Sequence, residues 1–264
     1  MMLVNGQPSR SLPATDRGLH YGDGLFETLR VEAGEPRRWS LHLSRLRTGC
    51  DRLGIPMPDP EVLLDEARTV IQGTPLGVLK ITVTRGSGPR GYRPPLHPEP
   101  TRILAFDSRA RNASTDRHEG VDVRLCSMRL SRNPVLAGIK HLNRLEQVMA
   151  RSEWSDEYHE GLMLDTSGQV VEGTMSNLFL VRGDALVTPD LSHCGVAGIT
   201  RARVLEMARA WGLSCREEQV GLEDLWQADG LFLTNTLIGL WPVRSLEGRA
   251  MPMPPLIGRL QQAL

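Results

Sequence analysis

Apolar and polar residues alternate along several short stretches of the chain, which is the pattern of a β-strand with one buried face. Leu79, Ile81 and Val83 alternate with more polar neighbours and predict a strand over 77–85. A second strand is expected over 101–106, where another apolar run follows a long stretch rich in glycine and proline. The amino-terminal half is therefore expected to contain a β-sheet.

Helices are predicted where apolar residues recur three or four positions apart. One helix is expected over 60–72, and another is expected to start at Ser40, because a serine hydroxyl is a good N-cap. A third helix is expected after position 140, because Leu145 and Val148 continue an amphipathic pattern that runs to about residue 154. Together with the strands, these helices indicate a mixed α and β fold.

The second half of the chain is rich in predicted strands. Turn-forming residues separate its apolar runs, which indicates hairpins between neighbouring strands. The polar segment 108–119 lacks apolar periodicity and is interpreted as a linker between a domain over 1–107 and a domain over 120–264. The strands predicted in this half cover 121–126, 161–165, 169–172, 177–182, 185–188 and 230–237.

Composition and charge narrow the classes of function. Of the 264 residues, 40% are hydrophobic and 23% are charged, as in ordinary globular proteins. Lys plus Arg and Asp plus Glu both number 31, so no net charge attracts the chain to nucleic acid or to an acidic membrane. The sequence contains neither a secretory signal nor an apolar run long enough to span a bilayer, so a cytoplasmic location is expected. The four cysteines lie far apart, and a metal site is not expected.

Lysine is rare in this chain, because Lys80 and Lys140 are its only lysines. A chain that uses arginine for almost every positive charge keeps lysine preferentially where arginine cannot replace it. A desolvated amine can lose its proton and form a Schiff base, whereas guanidinium stays protonated. Lys140 is the first candidate for this chemistry, although an ordinary surface lysine is an equal alternative on scarcity alone. Lys80 lies in a predicted strand and is interpreted as a lysine on its less apolar face.

Two other stretches carry groups that suit a phosphate. A helix is predicted to open within 195–200, where free backbone N–H groups and the helix dipole favour an anion, although a plain glycine-containing loop is an equal alternative. A later strand ends in Thr234, Asn235 and Thr236, whose hydroxyl and amide groups suit phosphate oxygens. The loop over 86–95 is long and rich in glycine and proline, and such loops often carry function.

Six short motifs follow one another along the chain. They are YGDGLFET over 21–28, HLSRL over 42–46, KHLNRLE over 140–146, EGTMSNLF over 172–179, GIT over 198–200 and TNT over 234–236. In this order they resemble the motifs of the fold-type IV pyridoxal 5'-phosphate enzymes, and the resemblance covers the chain from Asp16 to about Val243. It implies an α+β fold of two domains, an amino-terminal α/β sandwich and a carboxyl-terminal β-barrel-like α/β domain that binds the cofactor.

The resemblance also implies roles for individual residues. Lys140 is similar to the lysine that holds pyridoxal 5'-phosphate as a Schiff base. Glu172 is similar to the carboxylate that pairs with the pyridine nitrogen, where its negative charge keeps that nitrogen protonated. Without the resemblance, Arg45 is interpreted as a solvated charge on a helix. The other residues that resemble the cofactor-binding set, most of them around the phosphate, are Arg45, Ile199, Thr200, Asn235 and Thr236.

The family contains lyases and aminotransferases, which share the cofactor-binding residues. Thr28, the run that begins at Lys140 and the loop over 85–92 are similar to the lyases. This implies conversion of 4-amino-4-deoxychorismate to 4-aminobenzoate and pyruvate, with Lys140 as general acid and base and Thr28 orienting the leaving group or relaying a proton. The alternatives are a D-amino-acid or branched-chain aminotransferase, and a scaffold protein that keeps the fold without catalysis.

Arg90 and Tyr92 are the candidates for binding the substrate. The implied substrate has two carboxylates, and an arginine binds a carboxylate through two parallel hydrogen bonds. Both residues are also compatible with a place on the rim of the site or in a dimer contact. The resemblance implies a homodimer that acts on a small molecule, with no nucleic-acid or membrane partner.

Overall fold

The computed structural model describes residues 1–109 and 119–264. Most of the predicted linker over 108–119 therefore lies outside the described residues. The chain divides into two compact units, which we call unit 1 and unit 2. Unit 1 consists of Met1–Asn112 and Ile139–Asn143, and unit 2 consists of Ala113–Gly138 and Arg144–Leu264.

This division differs in one respect from the predicted domains, because the segment Ile139–Asn143 belongs to unit 1. Backbone pairing explains the difference. The N–H of Phe26 donates to the carbonyl of Lys140 at 3.0 Å, and the N–H of Leu142 donates to the carbonyl of Gly24 at 2.9 Å. The segment that carries Lys140 is thus paired with a strand that lies far earlier in the chain.

Unit 1 contains a six-stranded sheet in which every pairing is antiparallel. The first hairpin turns at Asn5 and Gly6, both at positive φ, as the Asn-Gly pair predicts. Across the sheet the strands follow the order β2-β1-β6-β5-β3-β4. In chain order they are β1 (Met2–Val4), β2 (Gln7–Pro8), β3 (Gly24–Glu32), β4 (Glu35–Pro36), β5 (Leu76–Thr84) and β6 (Thr101–Asp107).

Two long helices of unit 1 pack against this sheet, with Leu46 and Leu63 in its core. The predicted cap at Ser40 is wrong, because the N-cap is Arg38, two residues earlier, at a φ of 55° and without a side-chain cap. The next helix is capped by Asp59, whose carboxylate accepts a hydrogen bond from the N–H of Glu61. The helices are α1 (Arg17–Tyr21), α2 (Trp39–Leu53) and α3 (Pro60–Ile71).

Unit 2 contains a nine-stranded sheet, part of which closes on itself. The path β10-β13-β14-β7-β8-β9 returns to β10 because Asn177 pairs with Glu172, so these six strands form a barrel. Leu162, Leu178 and Leu233 are fully buried in its core. The strands are β7 (Val121–Leu130), β8 (Glu160–Asp165), β9 (Val170–Gly173), β10 (Asn177–Arg182), β11 (Ala185–Pro189), β12 (Ser214–Glu218), β13 (Gly230–Asn235), β14 (Gly239–Leu246) and β15 (Arg249–Ala250).

Unit 2 also contains four helices among its described residues. The helix predicted to run to about residue 154 spans only Leu145–Arg151, and its Leu145, Val148 and Met149 are 71%, 60% and 52% exposed. None of the helices in the described ranges combines the length and apolar character needed to cross a membrane. The helices are α4 (Leu145–Arg151), α5 (Ile199–Ala210), α6 (Leu222–Trp226) and α7 (Pro255–Ala263).

Candidate active site

Both lysines lie on one face of the sheet in unit 1. Phe26 and Thr28 share this face because alternate residues of a strand point to the same side. Thr28 of β3 pairs directly with Lys80 of β5, which puts Lys80 on the same face. The Nζ atom of Lys140 lies over the Phe26 ring, 4.3 Å from its centroid. We call this surface, formed by Phe26, Thr28, Lys80 and Lys140, the Phe26 face.

The position of Lys140 is fixed by backbone pairing on both sides of it. Leu25 and His141 form an antiparallel bridge, and the side-chain amide of Asn143 donates to the carbonyl of Gly22 at 3.2 Å. Gly22 has a φ of 62°, and a Cβ there would lie 2.6 Å from Oδ1 of Asn143, so glycine is required. Lys140 is half-buried and held against β3, which is unlike an ordinary surface lysine before a helix.

Arg45 is not a solvated helix charge. Its Nε and Nη2 donate to Oε1 and Oε2 of Glu27 at 2.8 and 2.6 Å. Nδ1 of His42 lies 2.6 Å from Oε2 of Glu27, and because a carboxylate only accepts, Nδ1 carries the proton. Glu27 and His42 are almost completely buried. The three side chains thus form a network, centred on Glu27, that fixes the direction of the Arg45 guanidinium.

Burial and pairing shift the pKa values within this network. Burial by itself raises the pKa of Glu27, but the hydrogen bonds from Arg45 and His42 lower it, and the net shift is downward. Burial also lowers the pKa of His42, with Glu27 opposing the shift and the positive charges of Arg45 and Lys140 adding to it. The network therefore contains a carboxylate, a guanidinium and a neutral imidazole.

Arg90 and Tyr92 lie in the loop between β5 and β6, and both are exposed. Arg17 anchors the backbone of this loop, because its Nη1 donates to the carbonyl of Gly91 at 2.9 Å and its Nη2 to that of Tyr92 at 3.0 Å. The Arg17 Nε also pairs with Asp23 at 2.8 Å. The loop backbone is thus held in place, and the role of Arg90 and Tyr92 as substrate ligands stays a prediction.

In unit 2, Glu172 lies on β9 and is only 4% exposed. Its Oε2 accepts hydrogen bonds from the N–H of Val196 at 2.9 Å and from Nδ2 of Asn177 at 3.3 Å. The same Asn177 amide donates to the carbonyl of Val196 at 2.8 Å, so one residue links β9, β10 and the segment before α5. Burial lowers the pKa of Arg144, and the negative charge of Glu172 opposes that shift. The hydrogen bonds from Val196 and Asn177 fix the Glu172 carboxylate in position.

The start of α5 carries donors without acceptors. Its N-cap is Gly198, which provides no side-chain cap, and the first N–H groups of any helix lack an intrahelical acceptor. Thr200 is buried, and its Oγ1 has no hydrogen-bond partner. A Cβ at Gly198 would collide with Oδ1 of Asn177, so glycine is needed for this close approach. Buried, unpaired donors at a helix start fit the phosphate of pyridoxal 5'-phosphate.

Asn235 and Thr236 follow the end of β13. The Asn235 side chain is engaged by the protein itself, since Nδ2 donates to the carbonyl of Met175 at 3.0 Å. Its Oδ1 accepts from the N–H groups of Leu237 and Ile238 at 2.8 and 2.9 Å, which holds the turn into β14. Thr236 is half-buried beside it. Their contact with a cofactor stays a prediction.

The motifs that carry the resemblance contain Phe26, Glu27 and His42, but sequence reasoning gave these three residues no role. The alternation along β3 contained a signal, because it puts Glu27 on the apolar face, where a carboxylate needs a partner. Burial raises the pKa of Cys126 and of Cys194 to about 12, which disfavours either thiol as an alternative nucleophile. Within the described ranges, His, Cys, Asp and Glu form no cluster that fits a metal ion.

Comparison with known proteins places this geometry in a family. The model of the class IV amino-transferase family matches residues 24–246. The aminodeoxychorismate lyase of Vibrio harveyi is 35% identical over 265 residues, which cover 100% of this chain and 98% of that protein.

Solved structures agree in fold along the whole chain. A 4-amino-4-deoxychorismate lyase from Pseudomonas aeruginosa is 48% identical, with a TM-score of 0.95 over 100% of this chain and 98% of that one. A branched-chain amino acid aminotransferase from Escherichia coli is 26% identical, with a TM-score of 0.87 over 99% and 92%. These likenesses confirm the predicted α+β, fold-type IV architecture. The chain belongs to the class IV aminotransferase family.

Proposed function

We propose that this protein is a pyridoxal phosphate-dependent lyase that converts 4-amino-4-deoxychorismate to 4-aminobenzoate and pyruvate. The observation that carries the proposal is the full-length likeness to the lyase from P. aeruginosa, at 48% identity. The branched-chain aminotransferase from E. coli, which represents the alternative, is 26% identical. Class IV aminotransferases and aminodeoxychorismate lyases are pyridoxal phosphate enzymes.

The proposed cofactor ligands are those expected from the sequence. Lys140 is the Schiff-base lysine, and Glu172 pairs with the pyridine nitrogen, for which its fixed and buried carboxylate is suited. When bound, the cofactor supplies a ring that withdraws electrons from the carbon attached to the substrate nitrogen. The remaining proposed ligands, most of them around the phosphate, are Arg45, Ile199, Thr200, Asn235 and Thr236.

The side chains of this protein then have to move protons and orient the substrate. The amine of Lys140 removes the proton from C4 of the substrate and later returns a proton to the enol carbon of the leaving group, which becomes pyruvate. Cleavage of the bond between C3 and the ether oxygen makes the ring aromatic, which favours the reaction. Thr28 orients the leaving group or relays a proton, and Arg90 and Tyr92 bind the carboxylates.

The test combines spectroscopy with product analysis. Purified protein is scanned for a visible band, treated with borohydride and digested, and the reduced adduct is located by mass spectrometry. An adduct on Lys140, together with pyruvate and 4-aminobenzoate released in equal amounts from aminodeoxychorismate, supports the proposal. Lys140→Ala should lose both the adduct and all lyase activity, whereas substantial remaining turnover contradicts the role of Lys140 as base. Lys80→Ala is the matched control, because it removes the only other lysine and should keep the adduct on Lys140.

The same assay decides between the lyase and the aminotransferase. The lyase needs no amino acceptor, whereas an aminotransferase needs a 2-oxo acid to complete its cycle. Turnover of D-alanine or of branched-chain amino acids, without release of pyruvate from aminodeoxychorismate, would favour the alternative. A protein that takes up no cofactor even when pyridoxal phosphate is added would favour the scaffold and overturn both enzyme functions.

We also propose that the protein is a cytoplasmic homodimer, as the resemblance and the sequence imply. Association is favoured by the exposed apolar side chains of α4, Leu145, Val148 and Met149, which a partner would remove from water. Light scattering should give about twice the chain mass of 29.3 kDa. A mass of one chain at micromolar concentration contradicts the dimer, and cell fractionation tests the location.

A further inference from the structure

Lys80 lies on the Phe26 face, and the proposed mechanism does not use its amine. Its Nζ lies over the Phe26 ring, 5.3 Å from the centroid, and Nζ of Lys140 lies over the same ring at 4.3 Å. Because both distances end at one point, the two nitrogens are at most about 10 Å apart. The only two lysines of the chain therefore share one aromatic ring, which stabilises a cation through its negative face.

Lys80 has no ion-pair partner among the described residues, and its side chain is exposed. Arg30 makes a useful comparison, because it lies on the same face of β3 and its Nε is paired with Glu32 at 2.7 Å. The buried carboxylate of Glu27 points to the other face and is bound by Arg45 and His42. No carboxylate of unit 1, within the part that the structure describes, thus neutralises Lys80.

An unpaired ammonium group close to the amine that performs the chemistry is suited to bind an anion on the substrate. The proposed substrate reacts at C4, and one of its carboxylates is on C1, across the six-membered ring. The distance between para substituents of such a ring is compatible with the upper limit of about 10 Å on the separation of the two lysine nitrogens.

We propose that Lys80 is a specificity residue that binds the ring carboxylate of the substrate while Lys140 acts at the para carbon. This inference rests on the proposed lyase function and adds to it a ligand for one of the two carboxylates. The Nζ atoms of both lysines lie over the Phe26 ring, which keeps the proposed carboxylate ligand near the amine that acts at the para carbon. Arg90 and Tyr92 then remain for the carboxylate of the enolpyruvyl group.

The test compares Lys80→Met, Lys80→Arg and Arg30→Met in the cofactor-loaded protein. Equilibrium binding of 4-aminobenzoate is measured by calorimetry alongside aniline, which lacks the carboxylate, and alongside steady-state KM and kcat. Lys80→Met should weaken 4-aminobenzoate binding and raise KM by about tenfold or more, because a charge-assisted hydrogen bond is lost. Aniline binding and the urea midpoint should stay unchanged, and Lys80→Arg should recover part of the affinity. Arg30→Met should behave like the wild type.

Two results overturn the inference. In the first, Lys80→Met binds 4-aminobenzoate as tightly as the wild type, or the wild type does not bind it at all. In the second, Lys80→Met loses affinity for aniline to the same extent, which indicates a structural effect. Failure of the proposed function is recognised separately, because a wild type that binds 4-aminobenzoate but releases no pyruvate from aminodeoxychorismate contradicts the lyase and not the carboxylate site.

Discussion

The Arg45 guanidinium donates two parallel hydrogen bonds to the Glu27 carboxylate, from Nε to Oε1 at 2.8 Å and from Nη2 to Oε2 at 2.6 Å. The geometry is the bidentate one that makes arginine–carboxylate pairs strong and directional. Glu27 is 1% exposed, so its charge is separated from water and depends on its partners. A side chain proposed to bind phosphate is thereby fixed before any ligand arrives.

Glu27→Gln should destabilise unit 1. The change leaves the Arg45 charge without its buried partner, and breaking such a pair lowers the free energy of unfolding by about 3–5 kcal/mol. Urea denaturation at pH 7 measures the effect. Glu32→Gln is the matched control on the same strand, because Glu32 is 34% exposed and its pairs with Arg30 and Arg37 should contribute less than about 1 kcal/mol. Equal effects of the two changes would contradict the assignment.

The same network predicts how stability depends on pH. The pKa of Glu27 is lower in the folded chain than its ordinary 4.5, so its contribution is present above pH 4.5 and is lost as the pH falls through the folded value. The pKa of His42 is lowered from 6.5, so the unfolded chain gains a proton near pH 6.5 that the folded chain does not. Stability should therefore decline below pH 6.5 and again below 4.5, and Glu27→Gln should remove the second decline.

Thr200→Val should raise stability and weaken phosphate binding together. The Thr200 hydroxyl is buried without a partner, and an apolar group of the same shape removes a desolvation penalty of about 1–3 kcal/mol. If this hydroxyl donates to the cofactor phosphate, the affinity of the cofactor-free protein for pyridoxal phosphate should fall by about tenfold. Thr188→Val is the control, because its buried hydroxyl already donates to the carbonyl of Leu178 at 2.8 Å, so this change should lower stability and leave the cofactor affinity unchanged. Unchanged cofactor affinity in Thr200→Val would remove Thr200 from the site.

Gly198→Ala should distort the start of α5. The added methyl group collides with Oδ1 of Asn177, and overpacking of this kind lowers the free energy of unfolding by about 1–3 kcal/mol. Gly258→Ala provides the comparison within a helix, because nothing lies within 4 Å of a Cβ at that position. There the substitution should stabilise the protein by about 0.4–1 kcal/mol. Urea midpoints of the two variants should move in opposite directions, and a common direction would contradict the collision.

Glu172→Gln should lower the rate without releasing the cofactor from Lys140. The change keeps the shape of the side chain but removes the charge proposed to hold the pyridine nitrogen protonated. Loss of one electrostatic contribution of this kind lowers kcat by about 10²–10³-fold. The absorbance band and the reduced adduct on Lys140 report the retained Schiff base. Full activity in Glu172→Gln would show that the carboxylate has another role.

Local patterns predicted most of the elements correctly. Strands follow from the alternation of apolar and polar residues, and hairpin turns follow from turn residues such as Asn5 and Gly6. The scarcity of lysine identified both residues of the Phe26 face that carry an amine. Two features depend on contacts between distant parts of the chain, and no local pattern contains them. The closure of the barrel requires Asn177 to pair with Glu172, and the pairing of Arg45 requires β3 to lie beneath α2.

The apolar pattern of α4 shows how such a prediction fails. Leu145, Val148 and Met149 have the spacing of one helix face. Such spacing predicts that the residues share a face, but it does not predict whether other residues bury that face. In a single chain this face is turned to solvent. The predicted cap at Ser40 failed for a different reason. Arg38 adopts a left-handed conformation, and the helix begins directly after it.

The pairing of Ile139–Asn143 with β3 has a consequence for how the protein is made. The ribosome completes the strands of unit 1 long before it adds Lys140, so this unit lacks its final segment until the first part of unit 2 has been synthesised. Cutting the chain between residues 109 and 119 would leave the amine on one fragment and the strand that holds it on the other. The amino-terminal half therefore cannot be transplanted as a complete unit 1, because the carboxyl-terminal half carries one of its segments.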